Sequence, residues 1–231
     1  MRRVSRSLKA VTDPEVTSPP PPPESGAVIE VEPTSSGGDR GYEDTLADLI
    51  SADSLHRTGR HIEALRKVEA LVKTAPKETN AWILRARILI ALGKPDVAIA
   101  SAEQAIALDD RSLAAWKLVA RAFADVKKHD RALEAVIRAE KLTSNDPDVY
   151  RLRGECLVAA DRHTEAVYAF EKSVHYAPKD AESWLALGRV LRLLRRPGPA
   201  KDALEKARDL GDSGSRPEVA SEARGLLARL G

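Results

Sequence analysis

Residues 79–112 read TNAWILRARILIALGKPDVAIASAEQAIALDDRS, and their pattern decides the fold. Apolar side chains recur at helical spacing in Trp82, Leu89 and Leu92. The chain then breaks at Gly93, Lys94 and Pro95, and a second run follows through Ala98, Ile99, Ala102, Ala105 and Ile106. Glycine stops a helix and proline suits a first turn, so the stretch predicts two helices joined by a tight turn. A single hairpin of this kind leaves an apolar face in water, so it must stack on neighbours to be stable.

The neighbours are present in the sequence. Trp82, Trp116, Tyr150 and Trp184 are each 34 residues apart, and they include all three tryptophans of the 231-residue chain. With the aromatic as the fourth position of a unit, the twentieth holds Ala64, Ala98, Ala132, Ala166 and Ala200. The eighth is always small, in Ala52, Ala86, Ala120, Gly154 and Gly188, and the eleventh always large and apolar, in Leu55, Leu89, Phe123, Leu157 and Leu191. Position 27 holds Leu71, Ala105, Ala139, Ser173 and Ala207, and position 32 has proline at Pro76 and Pro178. Small residues facing one another let antiparallel helices approach until the ridges of one fill the grooves of the other, and the large residue beside them fills the gap between neighbours.

These columns resemble the tetratricopeptide repeat (TPR), a family of 34-residue helix-turn-helix units. The resemblance covers five units, 45–78, 79–112, 113–146, 147–180 and 181–214. It departs from the family pattern at Asp48, which takes the aromatic position of the first unit, and at Ser144, which replaces proline at the end of the third. It implies an all-α fold, a right-handed superhelical α-solenoid. A final stretch, residues 215–231, predicts a C-terminal capping helix, opened by a capping box of Ser215 and Glu218 with Pro217 in its first turn. Its apolar face is Val219, Ala223, Leu226, Leu227 and Leu230.

Residues 1–41 read differently. They hold seven of the 14 prolines, including the run Pro19–Pro23, and too little apolar surface to offset the entropy of ordering, which predicts a disordered Pro-rich tail. The five-proline run should be stiff polyproline II, serving either as a spacer or as a ligand for an aromatic groove in a partner.

Composition excludes several functions. The 37 Lys and Arg against 35 Asp and Glu leave a net charge of +2, too balanced for bulk attraction to nucleic acid or a membrane. One cysteine excludes an intrachain disulfide framework. No apolar run is long enough to span a bilayer and no secretory signal follows the basic start, so a soluble, cytoplasmic protein is expected. Arginine outnumbers lysine 24 to 13, a compositional hint of a bacterial source.

No catalytic residue, cofactor or metal is expected. His61, His129 and His163 share position 17, where the other units carry Pro95 and Pro197, which marks a structural start to the second helix. His56 and His175 read as isolated. Cys156 has no base placed to activate it. The many acidic residues read as solvated faces, so the chain is expected not to be an enzyme.

The resemblance implies that first helices line the concave side of the superhelix and bind a partner polypeptide there through positions 2, 5, 9, 12 and 13. Spacings of three and four put those positions on one helical face. In this chain the candidate groove residues are Asn80, Ile83, Arg87 and Ile90 in the second unit, and Lys117 and Arg121 in the third. The fourth adds Arg151 and Glu155, and the fifth Leu185, Arg189 and Arg192. Arginine at position nine in three of five units predicts a basic stripe, flanked by apolar patches at Ile83, Ile90 and Leu185. The expected partner is therefore an acidic, partly apolar segment, since guanidinium forks match carboxylates. The competing expectation is that groove acids such as Glu155, Asp125 and Glu182 neutralise these arginines. The chaperone-tail clamp of some relatives requires groove asparagines beside lysines and arginine, and Asn80 alone does not supply it. A different class of function would use RVLRLLRR, residues 189–196, as a basic helix for anionic lipid or RNA. Nothing in the sequence sets the oligomeric state.

Overall fold

The computed structural model describes residues 37–214 and 216–230, and all regular structure among them is helical. The predicted tail and its proline run lie at residues 1–36, and Ser215 of the predicted capping box is likewise outside the described residues. Ten helices form five antiparallel hairpins: α1 (Gly37–Arg57) with α2 (His61–Thr74), α3 (Thr79–Ala91) with α4 (Pro95–Leu108), α5 (Leu113–Asp125) with α6 (His129–Leu142), α7 (Pro147–Ala159) with α8 (His163–Tyr176), and α9 (Ala181–Leu193) with α10 (Pro197–Ser213). A last helix, α11 (Pro217–Leu227), packs on α10 and α9. Helix α1 begins at Gly37, ahead of the boundary at residue 41 expected from composition.

Each column has a structural cause. The alanines at positions eight and twenty, Ala52, Ala86, Ala120, Ala64, Ala98, Ala132, Ala166 and Ala200, are fully buried where paired helices touch. The aromatics share one niche. Trp82 Nε1 donates to the carbonyl of Pro76 at 2.8 Å, Trp116 to Asp110 at 2.8 Å and Trp184 to Pro178 at 2.9 Å, while the Tyr150 hydroxyl donates to Ser144 at 3.0 Å. The acceptor always lies six residues upstream, at the end of the preceding unit. Because the bond uses a backbone carbonyl, Asp110 and Ser144 serve where the family pattern has proline. Asp48, at the aromatic position of the first unit, lies exposed near Lys67.

The turns are periodic as well. Position 15 takes a left-handed backbone in all five hairpins: Gly59 at φ 79°, Gly93 at 68°, Lys127 at 60°, Asp161 at 57° and Arg195 at 54°. Every second helix then starts at position 17, at His61, Pro95, His129, His163 or Pro197. First helices of the later units are capped by the residue before them. Glu78, Ser112, Asp146 and Asp180 each accept from backbone amides of the first turn, which would otherwise lack partners. One continuous apolar core runs through α3–α10, with smaller clusters under α1–α3 and under α9–α11.

Candidate functional site

First helices of successive units lie side by side, α3 on α5, α5 on α7 and α7 on α9, and two depressions along them are lined by the candidate residues other than Ile90 and Lys117. The wide C-terminal groove encloses about 890 Å³ between α5, α7, α9 and α11. Arg121, Arg151, Arg189 and Arg192 line it, matched by Glu155, Glu182, Glu218 and Glu222, so four cations meet four anions. A crevice of about 690 Å³ lies between α1 and α3, lined by Ile50, Asp53, Arg57, Asn80, Ile83 and Arg87 among others.

Most of the predicted stripe is satisfied within the chain. Arg87 binds Asp53 at 3.1 Å, one full period upstream, and Asp53 also takes Arg57 at 2.8 Å. Lys117 reaches Asp148 at 3.0 Å and Asp146 at 3.3 Å. Arg151 binds Glu155 at 2.7 Å and Asp148 at 3.3 Å. Partial burial works against the Asp148 charge, but Lys117 and then Arg151 outweigh it and hold the carboxyl below its usual range. Arg189 Nε donates to Glu222 of α11 at 2.7 Å, and Arg216 pairs with Glu182. Among the described residues Arg121 and Arg192 form no salt bridge, and the buried Nε of Arg192 has no hydrogen-bond partner.

The apolar flanks differ from expectation. Ile83 and Leu185 are 7% and 6% exposed, because each is clamped between units and shows the groove only an edge. Ile90 is partly buried against the main core, and Asn80 is exposed with its amide on Glu78. The free apolar surface in the C-terminal groove comes instead from Leu193, 52% exposed, with Val158 beside it in the lining. Sequence reasoning missed the share of α11. Read only as a cap, it also supplies Glu218, Glu222 and Leu226 to the groove wall. The interval of two residues by which α11 starts late relative to the period hides it from the column alignment.

The remaining candidates divide clearly. His56 is not isolated: its Nδ1 lies 3.1 Å from Nδ1 of His61, and burial, then His61 and Arg87, push its pKa down. His175 stands edge-on to Tyr176. Among the described residues no three His, Cys, Asp or Glu side chains converge as a metal site would require. Burial pushes the Cys156 thiol up to about 12, which removes the thiolate a nucleophile needs at neutral pH. The basic run 189–196 does not form one face. Arg189 and Arg192 turn into the groove, Arg195 sits in the left-handed turn and Arg196 precedes α10. No helix among the described residues is long and apolar enough to cross a membrane.

Stacked helical hairpins with an open inner groove define a repeat scaffold of the kind that generally serves protein interaction. The chain belongs to the tetratricopeptide repeat family, whose model matches residues 49–112, 83–147 and 118–175, together more than half its length. Solved structures agree on the fold. A thermophilic TPR protein of Thermus thermophilus is 18% identical, with 80% of this chain and 98% of that one covered at a TM-score of 0.68. PilF of Pseudomonas aeruginosa is 17% identical, with 81% and 92% covered at 0.66. YrrB, described as a TPR protein with an unusual peptide-binding site, is 18% identical, with 81% and 95% covered at 0.57. No curated protein matches the sequence.

Proposed function

We propose that the chain is a non-catalytic adaptor that holds a segment of a partner polypeptide in its concave groove. One observation carries this reading: Arg121 and Arg192, both without an intramolecular salt bridge among the described residues, line the same 890 Å³ groove as Val158 and the exposed Leu193. A guanidinium inside a groove, unpaired, is a ready site for a carboxylate. The lining as a whole is neutral, so the fitting ligand is a segment with one or two carboxylates beside an apolar side chain, not a long acidic tract. Asn80, Ile83, Arg87, Ile90 and Lys117 extend the groove toward the N-terminal units. Arg151, Glu155, Leu185 and Arg189 shape its walls. The peptide-binding site named for YrrB supports the same use of this architecture.

Quantitative pull-down from native lysate with the full chain and with Arg121→Glu/Arg192→Glu tests it. Partners captured by the full chain should be lost from the double variant while its circular dichroism is unchanged. Equal capture by both forms removes the groove from the function.

A further inference from the structure

The two ends of the array are finished differently. At the C-terminal end α11 turns exposed Ser221 and Arg224 to solvent over a buried apolar face. At the N-terminal end nothing equivalent among the described residues covers α1. Its Tyr42, Leu46 and Ile50 are 64%, 44% and 61% exposed, more large apolar side chains than any other described helix shows to solvent. A terminal repeat that shows an apolar stripe among its exposed polar residues calls for a cover over that stripe.

The stripe has an order that says what the cover is. Glu43, Leu46, Ile50, Asp53 and Arg57 follow one another at intervals of three, four, three and four, the spacing of a helix seam that packs on another helix. Its middle is apolar, one end is acidic and the other basic. Asp53 is engaged by Arg87 and Arg57; Glu43 is exposed at one end, and at the other Arg57 keeps 77% of its side chain exposed even while bonded to Asp53. An isologous pairing places residue i against j and j against i. With two α1 helices antiparallel about Ile50, the paired numbers sum to a constant. Ile50 meets its own copy at the axis, Leu46 lies over Ser54 of the other chain, and Glu43 stands opposite Arg57 at both ends. A parallel arrangement would set Glu43 on Glu43 and Arg57 on Arg57. The charges therefore select one geometry.

We infer that α1 is a self-association surface, through which two copies of this chain pair antiparallel about Ile50. Ile50 and Arg57 also line the crevice between α1 and α3, so pairing covers that crevice and leaves the C-terminal groove free. Self-association and partner binding then compete for the N-terminal crevice, where Asn80, Ile83 and Arg87 lie, and not for the C-terminal groove.

Sedimentation equilibrium of the full chain over a wide concentration range tests this. The full chain should show a monomer–dimer equilibrium. Ile50→Asp should weaken association by roughly a hundredfold, because two copies of the side chain meet at the axis. Glu43→Arg alone and Arg57→Glu alone should each weaken it through like charges, and the double swap Glu43→Arg/Arg57→Glu should restore it. Arg121→Glu, which probes the other groove, should leave it unchanged. A full chain that stays monomeric throughout overturns the inference, as does a dimer indifferent to Ile50→Asp or a double swap that fails to recover. All these positions are exposed, and matching thermal melts establish that each variant is folded.

Discussion

Gly154 and Phe170 interlock: a Cβ placed on the glycine would stand 2.6 Å from Cε1 of the ring. The same relation recurs one unit later, where a Cβ on Gly188 would stand 2.6 Å from Cγ of Leu204. The three earlier units put alanine at this place, in Ala52, Ala86 and Ala120, and hold the smaller Val68, Ala102 and Val136 sixteen residues on. Positions 8 and 24 of the repeat thus trade volume at a close-packed contact, which tolerates no surplus methyl.

Gly154→Ala should therefore lower stability by about 1–3 kcal/mol through overpacking, although alanine in a helix interior is ordinarily better than glycine by about 1 kcal/mol. Gly154→Ala/Phe170→Val, which copies the arrangement of the third unit, should recover most of the loss. Thermal melts of the two variants decide it, and a single variant as stable as the parent would show slack in this hairpin.

The left-handed turns offer the opposite effect. Lys127 and Arg195 hold φ near 60° and 54°, a region that costs L residues about 1–2 kcal/mol and glycine almost nothing. Each change to glycine should raise stability by about 0.5–1 kcal/mol after the added unfolded-state entropy is counted. Urea midpoints measure it. A drop in midpoint for both would show that their side chains stabilise the turn more than the backbone strains it.

Charge reversal should separate binding from folding. Arg121→Glu leaves no intramolecular acid unmatched, so the melting temperature should hold while partner affinity falls. Arg87→Glu faces Asp53 across one period and should also cost stability, by no more than about 1 kcal/mol because the pair is solvated. Paired melts and binding isotherms check both. Unchanged affinity in Arg121→Glu would take the guanidinium out of recognition.

Cys156 supplies a pH signature. Burial raises its pKa from the ordinary 9.0 to about 12, so between those values the unfolded chain releases a proton that the folded chain keeps. Its contribution is whole below pH 9 and declines as pH climbs from 9 toward 12, with a slope approaching about 1.4 kcal/mol per pH unit. Stability profiles of the parent and Cys156→Ala should diverge in slope only in that alkaline window. In the native state a thiol reagent at mildly alkaline pH should label the residue no faster than the chain unfolds.

The periodic columns made the helices legible, because burial at a hairpin contact is a local demand repeated every 34 residues. The aromatic niche was visible as Trp82, Trp116, Tyr150 and Trp184, yet its bond to a carbonyl six residues upstream was not, since a backbone acceptor leaves no mark on residue identity. The groove was legible only as a set of positions. Arginine at position nine read as a basic stripe, but Arg87 is held by Asp53 and Arg189 by Glu222, partners 34 and 33 residues away. Ile83 and Leu185 read as groove patches because a face assigned from spacing does not say how closely the next unit covers it.

What the sequence alone determined is the repeat itself: its period, the helix pairs, the small and large residues that meet inside them, and membership in a stacked fold. Those are matters of spacing along one chain, and spacing is written in the order of residues. Which charges remain free, which apolar side chains meet solvent and that α11 forms part of the groove wall were decided only by the tertiary structure. They depend on how far one unit advances and rotates past the next, and on rotamers chosen among partners a whole repeat apart.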